Sequence, residues 1–308
     1  MSEVGGAGGV GDAVEVPEGL ARAQLRFNGE AGRAFVAALP GRVAQFLERW
    51  ELRRDGPVLH GVTALVLPVR RRDGSGAALK VSMPDDESAG EPVALRRWAG
   101  EGCVRLLEHD PATGTLLLER LDHGRHLSVV AEDEPRAAVQ VVAGLLARLT
   151  AVPAPAGLRR LEDEVRGLLA RVPAVVGRLA DPVERGLVRA WGAQVAEVAG
   201  ESGDRLLHWD LHFDNVLAAG REPWLAIDPK PLAGDPGFDL LPALRDRFDA
   251  GDVRWRFDLM TEALGLDRRR ARVWTLARVL QNAVWDVEEG ERRLDGEQVA
   301  LVERLPGA

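Results

Sequence analysis

Residues 206–229, LLHWDLHFDNVLAAGREPWLAIDP, constrain this chain more than any other stretch. Two short apolar runs, 206–207 and 224–227, read as strands with polar groups at their ends: His208, Asp210 and Asn215 follow the first, and Asp228 follows the second. An Asp with an Asn five residues on, and a further Asp closing the next strand, suits phosphoryl transfer. One carboxylate orients a hydroxyl, while the amide and the other carboxylate hold Mg²⁺ against phosphates. Oxygen ligands match that hard cation.

The rest of the chain must build a frame for that stretch. At 308 residues and 46% hydrophobic content it can bury the core of one large domain or of two lobes. A net charge of −8 weighs against a nucleic-acid partner and leaves a surface suited to a cationic small molecule. The single cysteine, Cys103, excludes an internal disulfide framework and a cysteine-rich zinc site, so a reducing, cytoplasmic setting is expected. The most apolar segment, 137–149, is too short to span a bilayer, and residues 1–20 lack the basic and apolar regions of a signal peptide. A monomer without a membrane partner is expected. His208 and His212 have H-x-x-x-H spacing, but they lie on a predicted loop with no third ligand, so zinc is not expected and His208 is read as bracing the loop.

Residues 5–11, GGAGGVG, contain a literal G-x-G-x-x-G, yet only four residues precede it where a strand is required; a flexible tail over 1–19 is expected. Apolar residues at helical spacing predict a helix over 32–50 with a break at Pro40. A strand, a turn near Gly61 and a second strand follow over 57–69, then a hairpin turn at 70–76 and a strand over 77–83 that carries Lys80. Of 40 basic residues only Lys80 and Lys230 are lysines, so arginine serves wherever charge alone is needed. A lysine kept on an apolar strand points to a compact ammonium for a phosphate. Pro92 and an acidic lead-in mark the next helix, with Glu91 on its inner face as the expected partner of Lys80 and Glu87 as the alternative. Strands over 104–109 and 115–121 flank a DPATG turn. Beyond residue 132 helical periodicity dominates, over 133–151, 158–171, 182–199, 238–249, 252–264, 267–289 and 296–304, with Pro153, Pro155, Pro173 and Pro182 as punctuation. The expected fold is α+β: a small, mainly antiparallel β lobe with a bracing helix over 1–121, then a larger, mainly helical lobe over 122–308.

A Lys on a strand, a Glu on the next helix, a strand leading to a linker, then Asp, Asn and Asp downstream is the layout of the protein-kinase-like fold. HWDLHFDN at 208–215 and IDP at 227–229 resemble the catalytic and metal segments of the aminoglycoside phosphotransferases. LLHWDLHFDNVLAA, EPWLAIDPKPLAGDPGFDLLPAL, TLLLERL, ELRRDGPV and WTLARVLQNAVWDVE resemble, more narrowly, the group of streptomycin 6-phosphotransferases and hydroxyurea phosphotransferases. The similarity covers residues 50–286.

The resemblance implies that Asp210 orients or accepts the proton of the attacking hydroxyl and that Asn215 and Asp228 hold Mg²⁺ on ATP. Lys80, braced by Glu91, would contact the α- and β-phosphates. The turn containing Gly61 and Thr63 would cover the phosphates, although it has no G-x-G-x-x-G, and the backbone of Glu119 to Leu121 would receive the adenine. The absence of D-F-G and A-P-E segments separates the chain from regulated protein kinases. Asp235 and Asp239 are read as fixing the loop after the metal strand, with Asp239 also capping the next helix. For the acceptor, Trp285, Asp286, Glu288 and Glu289 offer an aromatic face beside carboxylates that suits a guanidinium-bearing substrate. Lys230 has two readings, a solvated lysine or a charge near the phosphates. The expected activity is transfer of the ATP γ-phosphoryl group to the 6-hydroxyl of the streptidine ring of streptomycin. Hydroxyurea or another small acceptor is the alternative, and a catalytically silent nucleotide-binding scaffold a further one.

Overall fold

The computed structural model describes residues 14–306. Contacts divide the chain into a first unit, Met1–Pro84 with Leu107–Arg120, and a second unit, Asp85–Leu106 with Leu121–Ala308. The glycine-rich run at 5–11 lies outside the described residues.

In the first unit, helix α1 (Glu18–Arg49) precedes strands β1 (Arg53–Arg54), β2 (Leu59–His60), β3 (Ala64–Arg70), β4 (Gly76–Ser82), β5 (Leu106–Asp110) and β6 (Thr115–Glu119). The sheet runs β1-β3-β4-β6-β5, with β2 also paired to β3. The β3–β4 and β4–β6 pairs are antiparallel, with Val66 opposite Lys80 and Lys80 opposite Leu116. Alternation on these strands puts Leu65, Leu67, Val69, Leu79 and Val81 into one core with Leu20, Phe35, Leu39, Val43 and Phe46 of α1. Arg49 of α1 closes this layer through a 2.8 Å bond to Asp110 at the end of β5.

Two expectations are corrected here. The N-terminal tail is shorter than residues 1–19: Val14 is buried in the first unit's core and α1 already begins at Glu18, because Val14 and Leu20 supply apolar surface that the sheet covers. The irregularity in the helix falls at Gly29, with φ 54° and ψ −129°, and Pro40 is accommodated inside the helix. A positive φ is easily reached only by glycine, so the chain bends there.

The second unit begins with α2 (Glu91–Trp98), followed by β7 (Asp122–His126), α3 (Leu127–Asp133), α4 (Pro135–Thr150), β8 (Arg159–Arg160), α5 (Leu161–Arg178) and α6 (Pro182–Val198). Strands β9 (Arg205–Leu207), β10 (Val216–Ala218), β11 (Trp224–Ala226) and β12 (Leu232–Gly234) come next. Helices α7 (Leu241–Arg245), α8 (Val253–Leu264), α9 (Arg268–Glu288) and α10 (Gly296–Arg304) complete it. Residues 85–106, expected with the first lobe, group with this unit. Trp98 is buried and its Nε1 donates to Leu149 O at 3.0 Å, while Val104 N and Ala226 N bond to Ala226 O and Gly102 O. Pro173 does not end its helix, which continues to Arg178. Among the described residues, no helix is long and apolar enough to cross a membrane.

Candidate active site

Two small sheets in the second unit hold the catalytic stretch. β9 pairs antiparallel with β12, whose other edge pairs in parallel with β8. β10 and β11 form a hairpin in which Val216 faces Ala226. That register continues one step further, since Ile227 N donates to Asn215 O at 2.9 Å. Asn215 and Asp228 therefore emerge at the same end of the hairpin.

The loop from β9 carries Asp210. Asp239 fixes it from below: its carboxylate, fully buried, accepts His208 N at 2.8 Å and Trp209 N at 2.7 Å. Asp239 thus does not cap a helix as expected. Asp235 does, accepting Gly237 N at 2.9 Å at the head of the short 3₁₀ turn Pro236–Leu240. Trp209 sits at φ +69°, a left-handed conformation costly for a bulky residue, and its ring is packed edge-on to Phe238. Burial pushes Asp239 up to about 7, against the pull of its two backbone donors.

His208 braces the loop from the other side. Its Nε2 lies 3.0 Å from Ile227 O, and its Nδ1 accepts Asp210 N at 3.3 Å, which defines a neutral ring protonated at Nε2. Burial lowers its pKa to about 4. Beyond Asp210, Asn215 Nδ2 donates to Asp210 O at 2.8 Å. With its nitrogen so engaged, the amide keeps its oxygen for another partner, and an amide oxygen and a carboxylate, the groups that Asn215 and Asp228 carry, are donor types that fit Mg²⁺. Phe213 N donates to Asp246 Oδ2 at 2.5 Å. Asp246 is itself positioned by buried Arg256, which donates to the carbonyls of Ala243, Asp246 and Arg247 at the end of α7. Burial raises the Asp246 pKa.

Lys230 lies at the same place. Its backbone N bonds to His208 O at 3.0 Å, and its Nζ is 3.4 Å from Asp210 Oδ2 and 3.7 Å from Glu87 Oε2. Burial depresses its pKa, but the carboxylates of Asp210, Glu87 and Asp228 outweigh that and hold it above the ordinary value. Glu87, weighed from sequence as an alternative partner of Lys80, is in this unit an ion-pair partner of Lys230.

A cavity of about 280 Å³ opens beside Asp210, lined by Asp210, His212, Leu241, Pro242, Arg245, Asp246, Arg278 and Asn282. Arg278 is 8% exposed, lies over the rings of Trp209, Phe238 and Trp285, and donates through Nη1 to Gln281 and Asn282. Burial brings its pKa down to about 10. Trp285, Asp286, Glu288 and Glu289, the residues read as an acceptor wall, do not line this cavity. Trp285 stands behind Arg278, Glu288 bonds Arg171 at 3.0 Å, and Asp286 and Glu289 lie at the end of α9. Leu241, Pro242, Arg245, Asp246, Arg278 and Asn282 were missed because they come from the segment after β12 and from mid-α9. One signal was present: Arg278, Gln281 and Asn282 fall at i, i+3 and i+4 in a largely apolar helix.

The first-unit candidates are more scattered. Residues 61–63 form the tip of the β2–β3 hairpin, closed by Gly61 N to Ala64 O at 3.0 Å, and Thr63 O is held by Gln24 Nε2 at 2.8 Å. Lys80 is buried on β4, and Glu119 faces Ala77 at the end of β6. Glu91 and Leu121 belong to the second unit, where both are buried.

Fold and site together define a phosphotransferase of the protein-kinase-like fold. A solved choline/ethanolamine kinase family protein from Mesorhizobium loti has a similar fold, with a TM-score of 0.57 at 20% identity over 82% of this chain and 86% of that one. The model of the aminoglycoside/hydroxyurea antibiotic resistance kinases matches residues 49–290. The chain is 67% identical to a hydroxyurea phosphotransferase of Kitasatospora aureofaciens, over 97% of this chain and 88% of that protein. It is 55% identical to a streptomycin 6-kinase of Streptomyces glaucescens, over 96% of this chain and 98% of that protein. The chain belongs to the aminoglycoside/hydroxyurea antibiotic resistance kinase family.

Proposed function

We propose that this protein is an ATP-dependent kinase that inactivates an antibiotic by phosphorylating its hydroxyl, the first acceptor being the 6-hydroxyl of streptomycin's streptidine ring. The observation that carries the reading is the convergence of Asp210 and Asn215 in one loop beside a cavity that Asp210 itself lines. Asp210 orients the hydroxyl and takes its proton as the acceptor oxygen bonds to the γ-phosphorus, while the bond from that phosphorus to the bridging oxygen of ADP breaks. Asn215 and Asp228 would hold Mg²⁺, which would neutralise phosphate charge when bound. In the first unit, Lys80 and the tip containing Gly61 and Thr63 are assigned to the nucleotide phosphates and Glu119 to adenine, on their sequence positions.

The cavity of about 280 Å³ lies at the lower edge of the roughly 300–1,000 Å³ range of small-molecule pockets, which suits an acceptor that is compact or that inserts a single ring. Phosphorylation would add about −1.5 to −2 charge to a polycation whose hold on RNA depends on positive charge. A second reading, hydroxyurea as acceptor, is favoured by the 67% identity to a hydroxyurea phosphotransferase. Cytoplasmic location and a monomeric state belong to the same proposal. The test is a coupled ADP-release assay with Mg·ATP against streptomycin, dihydrostreptomycin, hydroxyurea and kanamycin, with product mass for each hit. A monophosphorylated streptomycin supports the first acceptor. Turnover with hydroxyurea alone replaces it, and no turnover across the panel refutes the kinase reading for these antibiotics.

A further inference from the structure

We infer that Lys230 is a catalytic residue: its ammonium binds an oxygen of the phosphoryl group in transfer, and Glu87 is the positioning residue that holds it there. The inference rests on the kinase reading above and adds a group to it.

Lys230 is one of two lysines among 40 basic residues, so its side chain is not an interchangeable surface charge. Its main chain is pinned to the catalytic loop by the bond to His208 O, and Pro229 and Pro231 restrict the backbone on both sides. The ammonium reaches Asp210 Oδ2 at 3.4 Å and Glu87 Oε2 at 3.7 Å. An ammonium has three protons and no acceptor, and a 3.4 Å contact to Asp210 beside a 3.7 Å ion pair to Glu87 does not use all three. Three carboxylates, those of Asp210, Glu87 and Asp228, act on this one cation. An anionic phosphoryl group brought to Asp210 meets a carboxylate at close range, and Lys230 is the positive charge already touching that carboxylate. A guanidinium would engage a carboxylate as a planar fork, whereas the compact ammonium can keep Asp210 oriented and still face the phosphoryl oxygen.

The step balances without change to Lys230. The acceptor oxygen gains the phosphorus, ADP leaves with the bridging oxygen, the hydroxyl proton passes to Asp210 and then to water, and Lys230 keeps all three protons.

The experiment compares the wild-type chain with Lys230→Met, Lys230→Arg and Glu87→Gln, using whichever of streptomycin and hydroxyurea the wild type phosphorylates. Steady-state kcat and KM are read alongside Mg·ATP affinity by calorimetry. Lys230→Met should lower kcat by about 10²–10³-fold, the scale of losing one preorganised charge donor, with Mg·ATP affinity held within about threefold. Lys230→Arg should recover part of that loss by restoring charge, and Glu87→Gln should lower kcat by about three- to tenfold at unchanged KM. A Lys230→Met enzyme with kcat within about threefold of wild type, or one whose defect lies wholly in KM, overturns the inference. A silent wild type instead overturns the kinase reading on which it rests, so the two failures are distinct.

Discussion

Removing the Asp239 carboxylate should unfasten the catalytic loop. Its two oxygens accept His208 N and Trp209 N at 2.8 and 2.7 Å, at a site with no solvent exposure. Asp239→Ala leaves both buried N–H groups unsatisfied. At about 1–3 kcal/mol for each buried N–H left without an acceptor, partly offset by relaxation and by relief of the carboxyl's own burial, the variant should lose about 2–5 kcal/mol. With about 2–4 °C per kcal/mol for a chain of this scale, its thermal midpoint should fall by roughly 10 °C. Asp239→Asn keeps one acceptor oxygen and should lose about half as much. Activity should fall further than stability implies, because Trp209 is held at φ +69° and the next residue is Asp210. A displacement of about 1 Å at the base lowers turnover by about 10²-fold. Differential scanning calorimetry and kcat at saturating Mg·ATP measure both effects. An Asp239→Ala protein with wild-type kcat and a midpoint within about 2 °C would refute the clamp.

Further outcomes follow from the same geometry. His208 has its pKa lowered to about 4, so below pH 6.5 the unfolded chain takes a proton that the folded chain refuses. Stability should fall by about 3 kcal/mol as pH drops from 6.5 to 4, and this slope should vanish in His208→Asn; urea midpoints across that range test it as a difference, in which the opposing titration of Asp239 cancels. Gly237→Ala would put a Cβ 2.8 Å from Ala271 Cα and 3.0 Å from Trp274 Cβ on α9, and should destabilise by about 1–3 kcal/mol in chemical denaturation. Asp228→Ala should weaken Mg·ATP binding measured by calorimetry while leaving the metal-free nucleotide affinity nearly unchanged.

What the sequence made legible was chemistry held close along the chain. Asp210, Asn215 and Asp228 lie within one strand–loop–hairpin, and its register puts the last two at the same end without help from distant elements. The alternating strands around Lys80 were equally readable, because each is apolar on the face that α1 covers. The cavity beside Asp210 was not: Arg245, Asp246, Arg278 and Asn282 come to it only through packing of α7 and α9. At the acidic end of α9, conspicuous in sequence, Glu288 bonds Arg171. Helix α3 escaped notice because seven residues are too few to establish a period, and Pro40 was overrated because a long amphipathic helix tolerates one missing donor while Gly29 supplies the bend.

The most direct test of the account is Asp210→Asn, assayed by single-turnover phosphoryl transfer to the wild type's acceptor, with Mg·ATP affinity measured on the same sample. The amide keeps the shape and the backbone contacts of the loop but cannot take the hydroxyl proton. The account predicts a transfer rate lower by about 10²–10⁴-fold with Mg·ATP affinity essentially unchanged. Transfer at the wild-type rate would remove Asp210 from the mechanism and contradict the account at its centre.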